Sequence, residues 1–441
     1  MSTRRLALAG LLAIVFMATR PERAHADDPP SDEVGVATKL DRDAAVRLAL
    51  ARNPALKAGA QRVSATRAMA HAEAKLPPPE LSFDIWQVPF VRPVSFGDSQ
   101  MISVGLRQTF PAIGALSGRE EGTVELANAE DGMVGDTTRD LVREVDHALV
   151  DVEEATAKEE NHLAHRDLAK QIEDVAVARQ AAGASLSEAT LARVDVATYD
   201  ADAAAQAASG LRARAVLNGL LVRPAGAAVA RGGLPSVPLT VKDGAEALLA
   251  LARTTRPDLR SARARVAAQQ AFSRAARSEA LLPAFTLGIM YFAPTTLMPE
   301  HGYGLSLGMT LPWLWGGNAW RREAEETFAE AARFEVGSID VRLSIDVATA
   351  FGAVKTAEAK LLVLSGRQLP AAREALDATL AAYRSGRGGL LDLLRAERQI
   401  VDVESAIIDA RAALEHALVD LDWAVGTRVG RTPVAALGAT P

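Results

Sequence analysis

Three groups of residues have types and spacings that could do chemistry. Gly304-Leu305-Ser306-Leu307-Gly308 spells the G-x-S-x-G pattern, in which a serine nucleophile sits on a tight turn between a strand and a helix. His162 and His165, with Glu159 one turn earlier, could place metal ligands on one helix face. Glu153-Glu154 and Glu159-Glu160 add paired carboxylates on the same stretch. None of the three survives its surroundings. Ser306 lies inside a two-residue alternation that continues to Pro312, so no elbow is expected there. His147 is in line with His165, but 18 residues of helix span about 27 Å, too far to share an ion. The histidines and glutamates therefore read as a solvated helix face. The sequence has no phosphate-cradling glycine loop, no HExxH and no cysteine. No catalytic, cofactor or metal residue is assigned, and an enzyme is not expected.

What does stand out is the element that holds Ser306. Tyr303, Leu305, Leu307, Met309 and Leu311 alternate with Gly302, Gly304, Ser306, Gly308 and Thr310, giving one large apolar face and one small or polar face. Ile102, Val104 and Leu106 alternate with Ser103, Gly105 and Arg107 in the same way, and that stretch also ends in proline, at Pro111. Strands are further expected over 80–88 and 284–292, which completes hairpins at 80–110 and 284–311. Such strands suit either a half-buried soluble sheet or a sheet with one face in lipid and the other in a lumen.

At 441 residues two units are expected, and sparse aromatics with abundant alanine favour long helices. Residues 1–26 carry the marks of a cleaved secretory signal: Arg4 and Arg5, an apolar run from Leu6 to Ala18, and Ala24-His25-Ala26. Loss of Arg4, Arg5, Arg20, Arg23 and Glu22 would take the net charge from −6 to −9, which argues against a nucleic-acid partner. No later stretch approaches the ~20 apolar residues of a membrane helix, so membrane residence would require β-strands.

The chain is written twice. After a polar lead-in (27–40), the first repeat (41–223) runs through helices broken at Asn53-Pro54, the hairpin 80–110, and a long helix pair turning near Gly183. A linker (224–242) precedes the second repeat (243–426), with helices broken at Arg256-Pro257, the hairpin 284–311, and a long helix pair turning near Gly386. Residues 427–441 form a short loose tail. Leu343, Val347, Ala350, Val354, Ala357, Leu361 and Leu364 step by four and three, as do Leu393, Ala396, Ile400, Val403, Ile407, Ala410, Leu414, Ala417 and Leu421. That is coiled-coil spacing, over arms of about 90 Å. Trp86, Phe90 and Phe96 lie toward one end of the hairpins, and Trp313, Trp315 and Trp320 just past the other, like interfacial girdles. Four strands cannot seal their own edges in lipid. Copies must share a barrel, of 8 strands from two chains or 12 from three.

These elements together resemble the TolC-type outer-membrane efflux protein family. The resemblance rests on Arg52-Asn-Pro-Ala-Leu and Arg256-Pro-Asp-Leu, the paired hairpins, Tyr383-x-x-Gly386-x-x-x-Leu390-Leu-Asp-Leu-Leu, and the closing Asn218-Gly-Leu-Leu-Val and Asp422-Trp-Ala-Val-Gly. It covers about Asp41 to Gly426. The stretch from Leu369-Pro370 is similar to the subgroup serving heavy-metal efflux. The resemblance implies a mainly α chain with four strands, a homotrimer with a twelve-stranded outer-membrane barrel on a periplasmic helical tunnel, no cofactor, and two partners: a periplasmic adaptor and an inner-membrane pump. It puts Gly183, Ser185, Leu186, Gly386, Gly389 and Leu390 at the adaptor-docking tip, and Asp392 at the tunnel entrance. Arg395 stands where a second acidic residue is expected, so Asp392 and Arg395 should pair rather than repel. Ile102, Val104, Leu106, Tyr303, Leu305 and Leu307 would face lipid. The function implied is passive conduction in a tripartite efflux system. A type I protein-secretion duct and a periplasmic coiled-coil scaffold outside the membrane are the rivals.

Overall fold

The computed structural model describes residues 41–434 apart from 89, 92–94, 182, 184–185, 230–232, 236 and 315. The expected signal segment and lead-in, and the tail from 435, lie outside the described residues.

Helix α1 (Arg42–Arg52) is separated from α2 (Pro54–Glu73) by Asn53, whose side chain accepts from the backbone N–H of Ala55 at 2.8 Å and of Leu56 at 3.2 Å. Pro54 follows at the first helical position, where its missing N–H has no cost. Strands β1 (Glu80–Trp86) and β2 (Met101–Phe110) come next, then the long α3 (Ala115–Ala181) and α4 (Leu186–Leu220). After the short β3 (Leu239–Val241) the pattern repeats with α5 (Ala245–Thr255), α6 (Pro257–Leu281), β4 (Phe285–Ala293) and β5 (Gly302–Met309). The second arm comprises α7 (Gly317–Val363), a π-turn over Leu364–Gln368, α8 (Leu369–Arg384) and α9 (Leu390–Val425), and β6 (Arg431–Pro433) closes the described chain. At Arg256-Pro257 the N-cap residue Arg256 provides no side-chain cap; Asp258, inside the first turn, accepts from Leu259 N–H at 2.8 Å.

The duplicated order is therefore present, with two corrections. The second arm is not one unbroken α-helix from Trp320 to Tyr383. Pro370 has no N–H to give to Gly366, and the chain widens into a π-turn in which Leu369 N–H reaches Leu364 O instead. Nor is the tail wholly loose. Its β6 pairs antiparallel with β3 of the linker, from Leu239 opposite Pro433 to Val241 opposite Arg431. Asp422 holds the approach to this pairing, accepting from Val429 N–H at 2.9 Å and from Arg431 at 2.7 Å.

Both predicted heptad seams face inward. Leu343, Val347, Ala350, Val354, Ala357, Leu361 and Leu364 on the outgoing arm are buried with Ile407, Ala410, Leu414, Ala417 and Leu421 of α9. A smaller cluster joins Ala45 and Ala49 to Leu141, Val145 and Leu217, and a third, nearer the turn, holds Ile172, Ala176, Ala192, Tyr383, Leu390 and Leu393. The repeats meet where α3 runs against α6. Ser261 Oγ donates to Ala129 O at 2.7 Å, and a Cβ on Gly132 would stand 2.7 Å from Ser261 Cβ and 2.9 Å from its backbone. Gly132→Leu should accordingly part these helices at a cost of about 1–3 kcal/mol, seen as a lowered thermal midpoint by circular dichroism.

Candidate functional site

The four-stranded sheet has the order β1-β2-β4-β5, all antiparallel, so the hairpins of the two repeats lie side by side. Its register sorts the side chains by face. Leu81, Leu106, Ile289 and Leu305 form one row across the sheet, and Phe83, Val104, Tyr291 and Tyr303 another. Leu81, Phe83, Ile289, Tyr303, Leu305 and Leu307 are all exposed, so among the described residues nothing covers most of this apolar face. The opposite face carries Ser82, Ser103, Gly105, Arg107, Gly288, Gly304 and Ser306 in the alternate positions, with Met290 and Phe292 as its large apolar members. Of the six residues expected toward lipid, Val104, Leu106, Tyr303, Leu305 and Leu307 are exposed on the apolar face, and Ile102 shares that face half-buried. Trp86, Phe90 and Phe96 sit exposed at the loop end and Trp313 and Trp320 at the helix end, while Trp315 lies outside the described residues. Among the described residues no helix is long and apolar enough to cross a membrane. Ser306 stands opposite Gly288 within β5, with no turn into a helix, so the nucleophile reading has no geometry to support it.

At the far end of the helices the chain reverses twice. Gly183 has φ +100° and Gly386 φ +72°, values that favour glycine. The second turn is closed by bonds from Gly386 N–H to Tyr383 O at 3.0 Å and from Arg387 N–H to Ala382 O at 2.9 Å. Gly389 is extended and begins α9. Leu186 is exposed, whereas Leu390 is 2% exposed and packs under the turn with Tyr383 and Leu393. Leu390 therefore braces the tip from within and is not part of its outer surface; Leu391 is the exposed leucine there. Ser185 lies outside the described residues. Arg179 of α3 stacks 4.4 Å from the Tyr383 ring and donates to its carbonyl at 3.3 Å, and the Tyr383 hydroxyl reaches Glu188 of α4 at 3.4 Å. Asp392 and Arg395, one turn apart and both largely exposed, approach to 3.9 Å, a solvent-screened pair.

The polar helix face is less solvated than its letters suggest. His165 is buried, with Nε2 2.8 Å from Glu404, and this hydrogen bond holds the Glu404 carboxyl below its usual range. Burial, with Glu415 nearby, pushes Glu153 up to about 7. His162 and His165 form no metal-ligand group among the described residues, and His147 instead meets His416 of α9 with Nδ1 atoms 2.6 Å apart. His416, with no sequence pattern around it, was not foreseeable.

Two further clusters escaped the sequence. Trp423 carries Arg139 at 4.5 Å and Arg143 at 4.6 Å over its ring and donates to Asp140 at 2.6 Å. Arg256, 3% exposed, adds a third cation at 5.6 Å and bonds Asp346 at 2.8 Å as well as Asp258. Burial alone would raise Asp258, but the Arg256 hydrogen bond and charge outweigh it and hold the carboxyl below its usual range. Glu397 of α9 is fully buried beside Asp195 and Tyr199 of α4; burial, then the neighbouring Asp195 carboxylate, push its carboxyl up to about 8.

The described chain is thus an amphipathic four-stranded sheet with two open edges, carried on helix pairs tens of ångströms long. Comparison with known proteins adds the fold to which this arrangement belongs. Residues 248–427 match the family described as outer membrane efflux protein, limits that nearly coincide with the second repeat. Among solved structures the chain is similar to the outer-membrane channel OprN (20% identity, 87% of this chain and 89% of that one, TM-score 0.72). It is also similar to CusC, studied for folding and transmembrane channel formation (18%, 88% and 93%, 0.74), and to the open state of the Neisseria gonorrhoeae MtrE outer-membrane channel (22%, 88% and 89%, 0.69). No curated protein matches. Residues 248–427 thus match that family, and the whole chain shares the fold of these solved channels.

The raised Glu397 makes a signed prediction. An unfolded glutamate releases its proton near pH 4.5 and the folded one near 8, so between these values the folded state binds more protons and stability falls as pH rises. Glu397→Gln removes this dependence. Thermal unfolding in detergent should show the variant melting above wild type at pH 8, with the difference gone near pH 4.5.

Proposed function

We propose that this protein is the outer-membrane channel component of a tripartite efflux system, conducting substrates passively and performing no chemistry of its own. The observation that carries this reading is the sheet: one face predominantly apolar and largely exposed, the other mostly small or polar apart from Met290 and Phe292, with both edge strands paired on one side only. Open edges are not tolerated in lipid, so the strands of several chains close one barrel. Three chains, the number the family resemblance implies, give twelve strands and room for a lumen. The polar face then lines that lumen. The stem would extend into the periplasm, since α3 alone, with 67 residues, is about 100 Å long.

The tip is the natural docking end for a periplasmic adaptor with its inner-membrane pump. Gly183, Leu186, Gly386 and Gly389 form its turns, with Ser185 between them in sequence. Leu390 supports them from beneath, and Leu186 and Leu391 offer apolar surface. Asp392 and Arg395 would stand at the tunnel entrance, where alternating charge gives a ring of ion pairs and no strong cation filter. Metal ions, in line with the heavy-metal subgroup, are one substrate class for such a duct.

Paired substitutions on adjacent residues test the barrel. Leu305→Arg places a cation on the lipid face, at a cost of about 2–4 kcal/mol per chain near the bilayer midplane. It should sharply reduce the membrane-inserted, detergent-extractable protein. Ser306→Lys, on the lumen face, should insert normally and change single-channel conductance in planar bilayers. Equal insertion of both, or release of the wild-type protein by high salt alone, would refute the barrel and favour the scaffold. At the tip, Gly386→Leu forces a side chain into left-handed backbone, costing about 1–2 kcal/mol locally. Resistance conferred by the efflux system should drop while the assembled protein stays at wild-type level.

A further inference from the structure

Near the middle of α3, His147, Asp151, Glu154 and Lys158 follow at intervals of four, three and four residues and form one stripe. His416 and Asp420, one turn apart on α9, face it. Four side chains make a chain of contacts: Asp420 Oδ1 to His147 Nε2 at 2.9 Å, His147 Nδ1 to His416 Nδ1 at 2.6 Å, and His416 Nε2 to Asp151 Oδ1 at 3.3 Å. Neutral imidazoles carry one N–H each, so two protons serve three contacts. Arg143 Nε also donates to Asp420, at 2.7 Å, and fixes that end as anionic. His147 Nε2–H then donates to Asp420, His147 Nδ1 accepts from His416 Nδ1–H, and the lone pair of His416 Nε2 is left aimed at a carboxylate. That contact is repulsive unless a cation lies within it.

We infer that His416 Nε2, Asp151 and Glu154 bind a divalent transition-metal ion of the zinc class. Their donor atoms already lie within 4.8 Å of one another. Tetrahedral zinc, with bonds of about 2.0–2.2 Å, requires separations of about 3.3 Å. Asp151 is 54% exposed and can close that difference by changing rotamer. Glu154 would leave Lys158, which keeps Asp409 at 2.5 Å. Arg212 of α4 lines the same groove and sets a limit on its positive charge. An imidazole with two carboxylates suits zinc and its neighbours better than calcium or magnesium, which take oxygen ligands alone. His147 and Asp420 act as positioning residues: they fix the His416 tautomer from behind, as carboxylate–histidine supports do in zinc sites. Nothing in this assignment depends on the channel reading.

The test is calorimetric titration of Zn²⁺ alone into the full-length, chelator-stripped protein in detergent near neutral pH. One ion per chain in the micromolar range or tighter is expected. Asp151→Asn, at an exposed position that leaves folding intact, and His416→Ala should each weaken binding at least about tenfold. His147→Gln, which keeps all three ligands, should weaken it about 10–100-fold. The exposed His301→Ala serves as the unchanged control. No saturable zinc binding would mean that a proton alone bridges His416 and Asp151, and would overturn the assignment; so would unaltered affinity in both Asp151→Asn and His416→Ala.

Discussion

A strand that ends a sheet in hydrocarbon leaves a row of N–H and C=O groups with neither water nor protein to pair them, at several kcal/mol apiece. This chain has two strands, β1 and β5, paired on one side only, at the outer sides of a sheet whose apolar face is largely exposed from Leu81 to Met309. Among the described residues no other element covers that face. In the channel proposed above, further copies would meet the constraint, and the repeated order of elements then has a physical consequence. One hairpin contributes two strands; two hairpins joined through β2 and β4 contribute four in one register, set by pairing within one chain. Gly105, Gly288, Gly304 and Ser306 leave much of the other face without bulky side chains.

Holding that sheet on a long stem puts leverage on the join between repeats, and a cluster of charges around the buried Arg256 is found there. Arg256 bonds Asp258 and Asp346 while Trp423 presents its ring to Arg256, Arg139 and Arg143. Removing any one partner would leave buried charge uncompensated, a larger loss than the net worth of the pair. Gly426, at φ +86°, ends α9 against Arg256, where a Cβ would come within 3.2 Å of it. The residues that close the second repeat thus pack on the residues that restart its second helix, which gives the two sequence fragments a shared structural reason.

Periodicity was legible, and periodicity is most of this fold. The two-residue alternation put Leu305 and Leu307 on the correct face, and the seven-residue seams put Leu343, Val354 and Leu414 in the core, because each pattern records a surface that one whole element must bury or expose. What the letters hid depends on a partner distant in sequence. Leu390 shares its motif with an exposed neighbour, and only the docking of Ile172 and Ala192 decides that Leu390 turns inward. His416 acquires significance from His147, 269 residues away. The π-turn follows from Pro370, a visible residue whose effect could equally have been a kink. Pairing of β3 with β6 rests on three residues each, too short for any alternation to register.

The stem is also graded along its length. Around the middle of the stem the core is broad and aliphatic, running from Leu248 to Val434. Toward the tip it narrows to a handful of residues around Tyr383, and polar contacts take over: Arg179 on Tyr383, Tyr383 to Glu188, Arg398 to Asp195 at 3.5 Å beside the buried Glu397. Hydrophobic burial resists separation in proportion to area, whereas these contacts break one at a time and can be remade with water or with another chain. Local opening is therefore cheapest at the end of the stem farthest from the sheet, where few apolar groups join the helix pairs. In the channel proposed above, that gradient would let the tip move while the edges of the sheet stay paired.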